Sequence, residues 1–140
     1  MGLGFDAMAS IIVVTGPQKG DYYPLGRRTN VIGRSESLPI QILDDRVSRK
    51  HMKIRFDAES GRYCANDMGS RHGVTVNGNA IQAETALKDN DYITIGRTSI
   101  MFTMKDFPDR ESALSHFKKY GERDRPTIIN DGNQIANQQD

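Results

Sequence analysis

The feature that most constrains this chain is the close spacing of turn residues between short runs of β-forming residues. Glycine, proline, asparagine and aspartate interrupt the sequence throughout residues 15–96, so the stretches between them are short. Such stretches favour strands, because helices in globular proteins usually need about 10 residues or more. Many short strands separated by turns are typical of an all-β sandwich.

Local patterns locate the strands. From His51 to Phe56, apolar and polar residues alternate, as they do in a strand with one buried face. The Asn77-Gly78 pair follows a β-branched run and predicts a tight hairpin turn. Residues 57–61 predict a second hairpin loop, and Pro24 marks an edge strand. Further strands are predicted at 11–14, 21–25, 29–32, 40–43, 62–66, 74–76, 92–95 and 98–104.

Beyond the last strand the hydrophobic pattern changes to a helical period. Asp109 is a suitable N-cap, apolar residues recur at helical spacing, and Gly121 can end the helix. We therefore expect a short helix over 107–121, after a β-sandwich domain over 10–106. Residues 122–140 are polar and are expected to form a disordered tail. Residues 1–9 are expected to be a leader or an artificial remnant.

Composition excludes several classes of protein. A chain of 140 residues with a net charge of +1 has the size of one domain and is not a general polyanion binder. Its longest apolar run is far too short to span a membrane, and its N-terminus lacks a secretory signal. Cys64 is the single cysteine, which excludes an internal disulfide and a multi-cysteine zinc site. We expect a cytoplasmic monomer without cofactors.

Three sequence segments concentrate the candidate binding residues: 32–35, 47–51 and 67–78. Between Arg27 and Arg55 there are eight Lys or Arg and three acidic residues, a local charge of +5. Arginine binds phosphate or carboxylate oxygens in a bidentate manner, and a nearby hydroxyl can add a hydrogen bond. The pattern predicts an anion site. A solvated basic surface is the alternative, and composition does not identify the anion.

The three segments together resemble the forkhead-associated (FHA) domain family. The family pattern is G-R, then S-R-x-H, then D-x-G-S-x-N-G-T-x-V-N-G. This chain has G-R at 33–34, S-R-K-H at 48–51, D-M-G-S-R-H-G at 67–73 and V-N-G at 76–78. The resemblance covers about residues 10–105. It implies an eleven-stranded β-sandwich that binds phosphothreonine peptides.

The resemblance also implies roles for individual residues. Arg34 would bind the phosphate oxygens, Ser48 would donate its hydroxyl to them, and Arg49 would contact the peptide or phosphate. Arg71 and His72 occupy positions where the family usually has Ser or Thr followed by Asn. An imidazole cannot reproduce the paired donor and acceptor of an amide. His72 therefore puts the hydrogen bonding to the peptide backbone in question. Arg71 suggests a preference for acidic residues beside the phosphothreonine.

Three further family positions are expected to support loops. Gly33 would permit a close backbone approach that a side chain would block. His51 would tie its ring to loop backbone, and Asn77 would occupy a turn that favours a left-handed conformation.

Other functions fit the sequence less well. Ser48 and His51 could suggest a nucleophile and a base, but a triad also needs an orienting acid and an oxyanion hole, and the sequence has no G-x-S-x-G nucleophile elbow. No enzyme activity is therefore expected. Asp44 and Asp45 have no partners at metal-ligand spacing and are interpreted as a turn. Ten aromatic residues without tryptophan or aromatic–basic interleaving argue against nucleic acid. A phosphate-independent FHA-like scaffold remains the alternative, and His72 is the reason for keeping it.

The tail carries one candidate modification site. Thr127 lies in a polar segment that a kinase could reach, and its phosphorylated form could dock on the Arg34 and Ser48 site. An inert tail is the simpler interpretation.

Overall fold

The computed structural model describes residues 9–105, together with residues 111, 112, 115 and 118. Most of the predicted helix over 107–121, the predicted tail with Thr127, and residues 1–8 of the predicted leader lie outside the described residues. Ala9, assigned to that leader, is fully buried, and its carbonyl accepts a hydrogen bond from the Leu25 N–H. The packed domain therefore includes residue 9, one residue before the predicted start. Among the described residues, no helix is long and apolar enough to cross a membrane.

Eleven strands form two sheets that pack face to face, and the predicted β-sandwich is confirmed. The six-stranded sheet has the order β2-β1-β11-β10-β7-β8, and the five-stranded sheet has the order β4-β3-β5-β6-β9. The strands are β1 (Ser10–Val13), β2 (Tyr22–Pro24), β3 (Asn30–Gly33), β4 (Ile40–Gln41), β5 (Met52–Asp57), β6 (Arg62–Asp67), β7 (Val74–Val76), β8 (Asn79–Ala80), β9 (Thr85–Ala86), β10 (Tyr92–Ile95) and β11 (Thr98–Thr103).

The core lies between the two sheets and follows the alternation of the sequence. On β5, Met52 and Ile54 are buried, whereas Lys53 and Arg55 are partly exposed on the outer face. β1 is apolar on both faces because a second cluster lies on the outer face of the six-stranded sheet. Ile12 belongs to that cluster, while its neighbours on β1 belong to the main core.

Strand register brings the candidate binding segments to one end of the sandwich. Gly33 at the end of β3 pairs with Gln41 at the end of β4, and Met52 at the start of β5 pairs with Asp67 at the end of β6. The loops that follow β3, β4 and β6 therefore emerge at the same edge. These three loops contain all five predicted peptide-contacting residues.

The outer face of the five-stranded sheet carries an ion pair that provides a pH-dependent test of the fold. Arg55 binds Glu84 in a bidentate manner at 2.8 and 3.0 Å, and Asn66 also donates to the Glu84 carboxylate. The hydrogen bond from Arg55, reinforced by that from Asn66, lowers the pKa of Glu84 to about 2. Because this pKa is lower in the folded state than in the unfolded state, the ionised Glu84 carboxylate stabilises the folded protein. This contribution is complete above the ordinary pKa of 4.5 and is lost as pH falls towards 2.

We expect Glu84→Gln to be less stable than wild type at pH 5, and the difference to shrink as pH falls from about 4.5 to about 2. Urea unfolding of both proteins at several pH values measures this difference. Glu59→Gln, an exposed glutamate in the β5–β6 turn, is the control and should follow wild type. An unchanged difference between pH 5 and pH 2 would contradict the assignment.

Candidate functional site

Backbone hydrogen bonds hold the loop after β3 against the loop after β4. The Arg34 N–H donates to the Ser48 carbonyl at 3.0 Å, and the Ser35 N–H donates to the Arg49 carbonyl at 3.2 Å. Arg34 is distant in sequence from the consecutive residues Ser48 and Arg49, and this pairing brings it beside them. Both of these bonds are made by backbone atoms.

Gly33 makes this close approach possible. A Cβ atom on Gly33 would lie 2.1 Å from the Arg49 carbonyl oxygen and 2.8 Å from the Ser48 carbonyl oxygen. Both neighbours are backbone atoms, so they cannot move aside without displacing the loop. The position requires glycine because of this contact rather than because of an unusual φ angle.

His51 connects the loop after β4, which contains Ser48, to the loop after β6. The side chain is fully buried, and its Nδ1 atom accepts a hydrogen bond from the Ser48 N–H at 3.0 Å. Since Nδ1 is the acceptor, Nε2 carries the proton and donates to the Gly73 carbonyl at 2.7 Å. The ring thus joins the two loops that flank the candidate site and makes no contact with solvent.

The guanidinium group of Arg34 is oriented by one hydrogen bond and otherwise faces solvent. Its Nε atom donates to the Val47 carbonyl at 2.9 Å. The residue is exposed, and within residues 9–105 its Nη1 and Nη2 atoms have no carboxylate partner. A planar group held by Nε presents two parallel N–H donors, which is the arrangement that binds an oxyanion bidentately.

Ser48 lies beside this group with its hydroxyl proton available. The Ser48 Oγ atom accepts a hydrogen bond from the Arg71 N–H at 3.1 Å. That bond uses a lone pair of the oxygen and leaves the O–H free to donate to a ligand. It also attaches the start of the Arg71–His72 segment to the Ser48 loop.

Internal hydrogen bonds shape the loop after β6. The Asp67 carboxylate accepts from the Ser70 N–H at 2.9 Å, and the Ser70 hydroxyl accepts from the Gly73 N–H at 2.9 Å. Arg71 and His72 form the tip between these fixed points, and both side chains are exposed. The tip is available to a ligand, and nothing in the described part of the chain neutralises Arg71.

Asn77 lies away from the other predicted site residues, at the opposite end of β7. It has a left-handed φ of 52°, and its side chain donates to Asp91 and accepts from the Tyr92 N–H, both at 2.9 Å. It therefore joins the β7–β8 turn to the start of β10. Asn77 supports the sandwich rather than the loops that carry Arg34 and Ser48.

Sequence reasoning missed the part played by Asp44, which it treated as an ordinary turn residue. The Asp44 carboxylate accepts from the N–H groups of Arg46 and Arg97 and from the Thr98 hydroxyl, at 2.7–2.9 Å. Desolvation raises its pKa, but these hydrogen bonds outweigh that effect and hold the pKa below its ordinary value. Asp44 thereby anchors the loop after β4 to the β10–β11 turn.

The site presents a cationic surface. Arg34, Arg49 and Arg71 are exposed around the Ser48 hydroxyl. The described residues contain no cluster of three or more His, Cys, Asp or Glu that could hold a metal ion. A β-sandwich that presents such a surface on loops at one end belongs to the class of binding domains built on rigid scaffolds.

Comparison with known proteins gives the family. Residues 30–96 match the model of the FHA domain. The solved FHA domain of FhaA, complexed with the intracellular domain of Rv3910, is 30% identical with a TM-score of 0.60, and the match covers 67% of this chain and 98% of that one. The chain belongs to the FHA domain family.

Two further comparisons are informative. A structure from an analysis of phosphothreonine-dependent FHA domain interactions is 29% identical with a TM-score of 0.62, covering 71% of this chain and 98% of that one. The FHA domain-containing protein At4g14490 of Arabidopsis thaliana is 32% identical over 85% of this chain. This chain spans only 32% of that plant protein, and 16% to 62% of three bacterial relatives.

Proposed function

We propose that this domain binds threonine-phosphorylated segments of partner proteins. The observation that carries the proposal is the Arg34 guanidinium, whose Nε atom is bound to the Val47 carbonyl and whose two Nη groups are free, beside the Ser48 hydroxyl proton, which has no acceptor in the described residues. A phosphate monoester has nearly two negative charges at pH 7 and three acceptor oxygens, which matches these donors. The likeness to the FHA domain studied for phosphothreonine-dependent interactions supports the same ligand.

The remaining site residues are assigned to the rest of the peptide. Arg49 follows Ser48 and is exposed, so we assign it to the phosphate or the adjacent backbone. Arg71 is assigned to acidic side chains that flank the phosphothreonine. His72 stands where the family usually has an asparagine, and a single imidazole donor is expected to hold the peptide backbone less firmly than an amide.

The proposal includes the cellular setting. We assign the domain to Ser/Thr-kinase signalling in the cytoplasm, as a monomeric interaction module without catalytic activity, cofactor, membrane or nucleic-acid partner. The presence of one cysteine, buried on β6, suits a reducing compartment. The match to the FHA domain family supports a binding role.

Titration with a degenerate phosphothreonine peptide pool and its unphosphorylated counterpart tests the function. We expect micromolar binding, about −8 kcal/mol, to the phosphorylated pool alone. Phosphoserine should bind about fourfold more weakly, because one methyl group contributes about 0.8 kcal/mol. Affinity should fall with added salt and below about pH 6, where the phosphate gains a proton.

Two results would contradict the proposal. Equal binding to both pools, or binding that is indifferent to salt and pH, would favour the phosphate-independent scaffold. In that case His72, the departure from the family pattern, would be the first residue to restore to asparagine. Recovery of phosphate-dependent binding in His72→Asn would locate the defect in the backbone contact.

A further inference from the structure

The outer face of the six-stranded sheet carries a row of apolar side chains that crosses four strands. Tyr22 on β2 is paired with Ile12 on β1. Ile12 is paired in turn with Met101 on β11, and Met101 with Tyr92 on β10. Directly paired residues project from the same face of a sheet, so these side chains form a continuous row. Together with Val14 they make up the outer cluster.

The centre of the outer cluster is closed to solvent, although it lies outside the core between the sheets. Ile12 and Met101 are both 0% exposed. Ser10 and Thr103, which are paired with each other two residues further along the same strands, are also 0% exposed. A single layer of side chains on the outside of an antiparallel sheet is in contact with water. Another segment must therefore lie over this part of the face.

The covered area is limited, and it is covered within one copy of the chain. Thr94 on β10 and Thr75 on β7 are paired with each other on the same outer face, and both are partly exposed. The cover thus extends over β1, β11 and the start of β10. Among residues 9–105 the outer cluster has no apolar members besides its own five. Since a single copy already buries the cluster, a second copy is not what covers it.

The sequence that follows β11 contains a helix with one polar face and one apolar face. The described residues at 111, 112 and 115 are helical. Three polar residues spaced four and three positions apart share one face of this helix and are exposed, namely Glu111, Ser115 and Lys118. The same spacing offset by two residues, about 200° around the helix, gives an apolar set, namely Ala113, Phe117 and Tyr120. The exposed polar face predicts that the opposite face is packed against the domain.

The length and the starting point of this helix match the covered area. The helix over 109–120 is about 18 Å long, and four strands span about 14 Å. Thr103, the last residue of β11, belongs to the covered area itself. The segment 104–108 can extend over about 16 Å, which is enough for the chain to turn back across the sheet that it has just left.

We propose that the outer face of the six-stranded sheet is a docking surface for the chain's own segment 109–120, and that Phe117 packs against Ile12 and Met101. The other segment outside residues 9–105 that precedes a covered strand is 1–8. It contains two glycines, which disfavour an ordered element. The proposal does not depend on phosphothreonine binding, because the docking surface is a sheet face and the Arg34 site is on loops at one end of the sandwich.

Methyl NMR of the full chain labelled with ¹³C-methyl methionine tests the contact. Phe117→Leu keeps an apolar side chain but removes the aromatic ring, so the Met101 methyl resonance should move. The Met52 methyl lies in the core between the sheets and should not move. Phe5→Leu is the matched control for the N-terminal segment and should leave Met101 unchanged. Movement of Met101 in Phe5→Leu alone would overturn the proposal and assign the cover to residues 1–8.

Thermal unfolding of two aspartate variants gives a second test. Phe117→Asp should lower the melting temperature by about 10 °C or more, because the outer cluster loses its cover, and the variant should bind the dye ANS. Ser115→Asp places the same charge on the exposed face of the helix and should remain within about 2 °C of wild type. Equal melting temperatures for the two variants, or equal dye binding by wild type and Phe117→Asp, would overturn the docking of this helix.

Discussion

Arg34→Ala is expected to weaken binding of phosphothreonine peptides by about 100-fold or more. The variant loses both Nη groups, which face solvent and are the donors assigned to the dianionic phosphate. Arg34→Lys keeps the charge but not the planar pair of donors, so an intermediate loss of about tenfold is expected. Isothermal titration with a single phosphopeptide and its unphosphorylated form measures both effects.

The matched control is Arg62→Ala, which removes an exposed arginine at the start of β6, at the end of the sheet away from the site. Its affinity should remain within about twofold of wild type. Because Arg34 also binds the Val47 carbonyl, thermal unfolding should accompany each titration. Wild-type affinity in Arg34→Ala would refute the assignment of the phosphate to this residue.

Gly33→Ala is expected to lower the melting temperature by about 12–24 °C and to abolish peptide binding. The new methyl group would overlap the carbonyl groups of Ser48 and Arg49 and push the loop away from β3. Such overpacking costs about 3 kcal/mol, and each kcal/mol shifts the melting temperature of a domain this size by about 4–8 °C.

Gly61→Ala separates this contact from a general effect of replacing glycine. Gly61 lies in the β5–β6 turn with a φ of 71°, and no atom lies within 4 Å of an added Cβ. Gly61→Ala should lower the free energy of unfolding by about 1 kcal/mol, from backbone strain alone, and should leave peptide binding unchanged. If both variants lost the same stability and kept their affinity, the close approach at Gly33 would not be what maintains the site.

The strands were predictable wherever a run of residues alternated or was bounded by turn residues. The hairpins at Asn77-Gly78 and at 57–61 are confirmed by the pairing of Val76 with Asn79 and of Asp57 with Arg62. β8 and β9 were not predicted individually, because two residues are too few to show a period. Pro24 does lie on an edge strand, since β2 ends the six-stranded sheet.

The candidate site was predictable as residue types but not as a set of contacts. Residue type and spacing predicted an anion site at Arg34 and Ser48, and the resemblance to the family indicated what each residue would do there. The anchors at Gln18 and Asp44 act over separations of 25 and 53 residues, to Leu43 and Arg97. Nothing local marks such bonds, because ordinary polar residues acquire them only when the two sheets meet.

The buried ring of His51 has a consequence for how this domain can be retargeted. The loops of the site are held in place by His51 and by backbone groups at Gly33 and Ser48. In the described part of the chain, the side chains of Arg49, Arg71 and His72 have no hydrogen-bond or ion-pair partners. These three positions can therefore change freely without loosening the loops. New peptide preferences can arise there, by selection or by design, on a scaffold that stays the same.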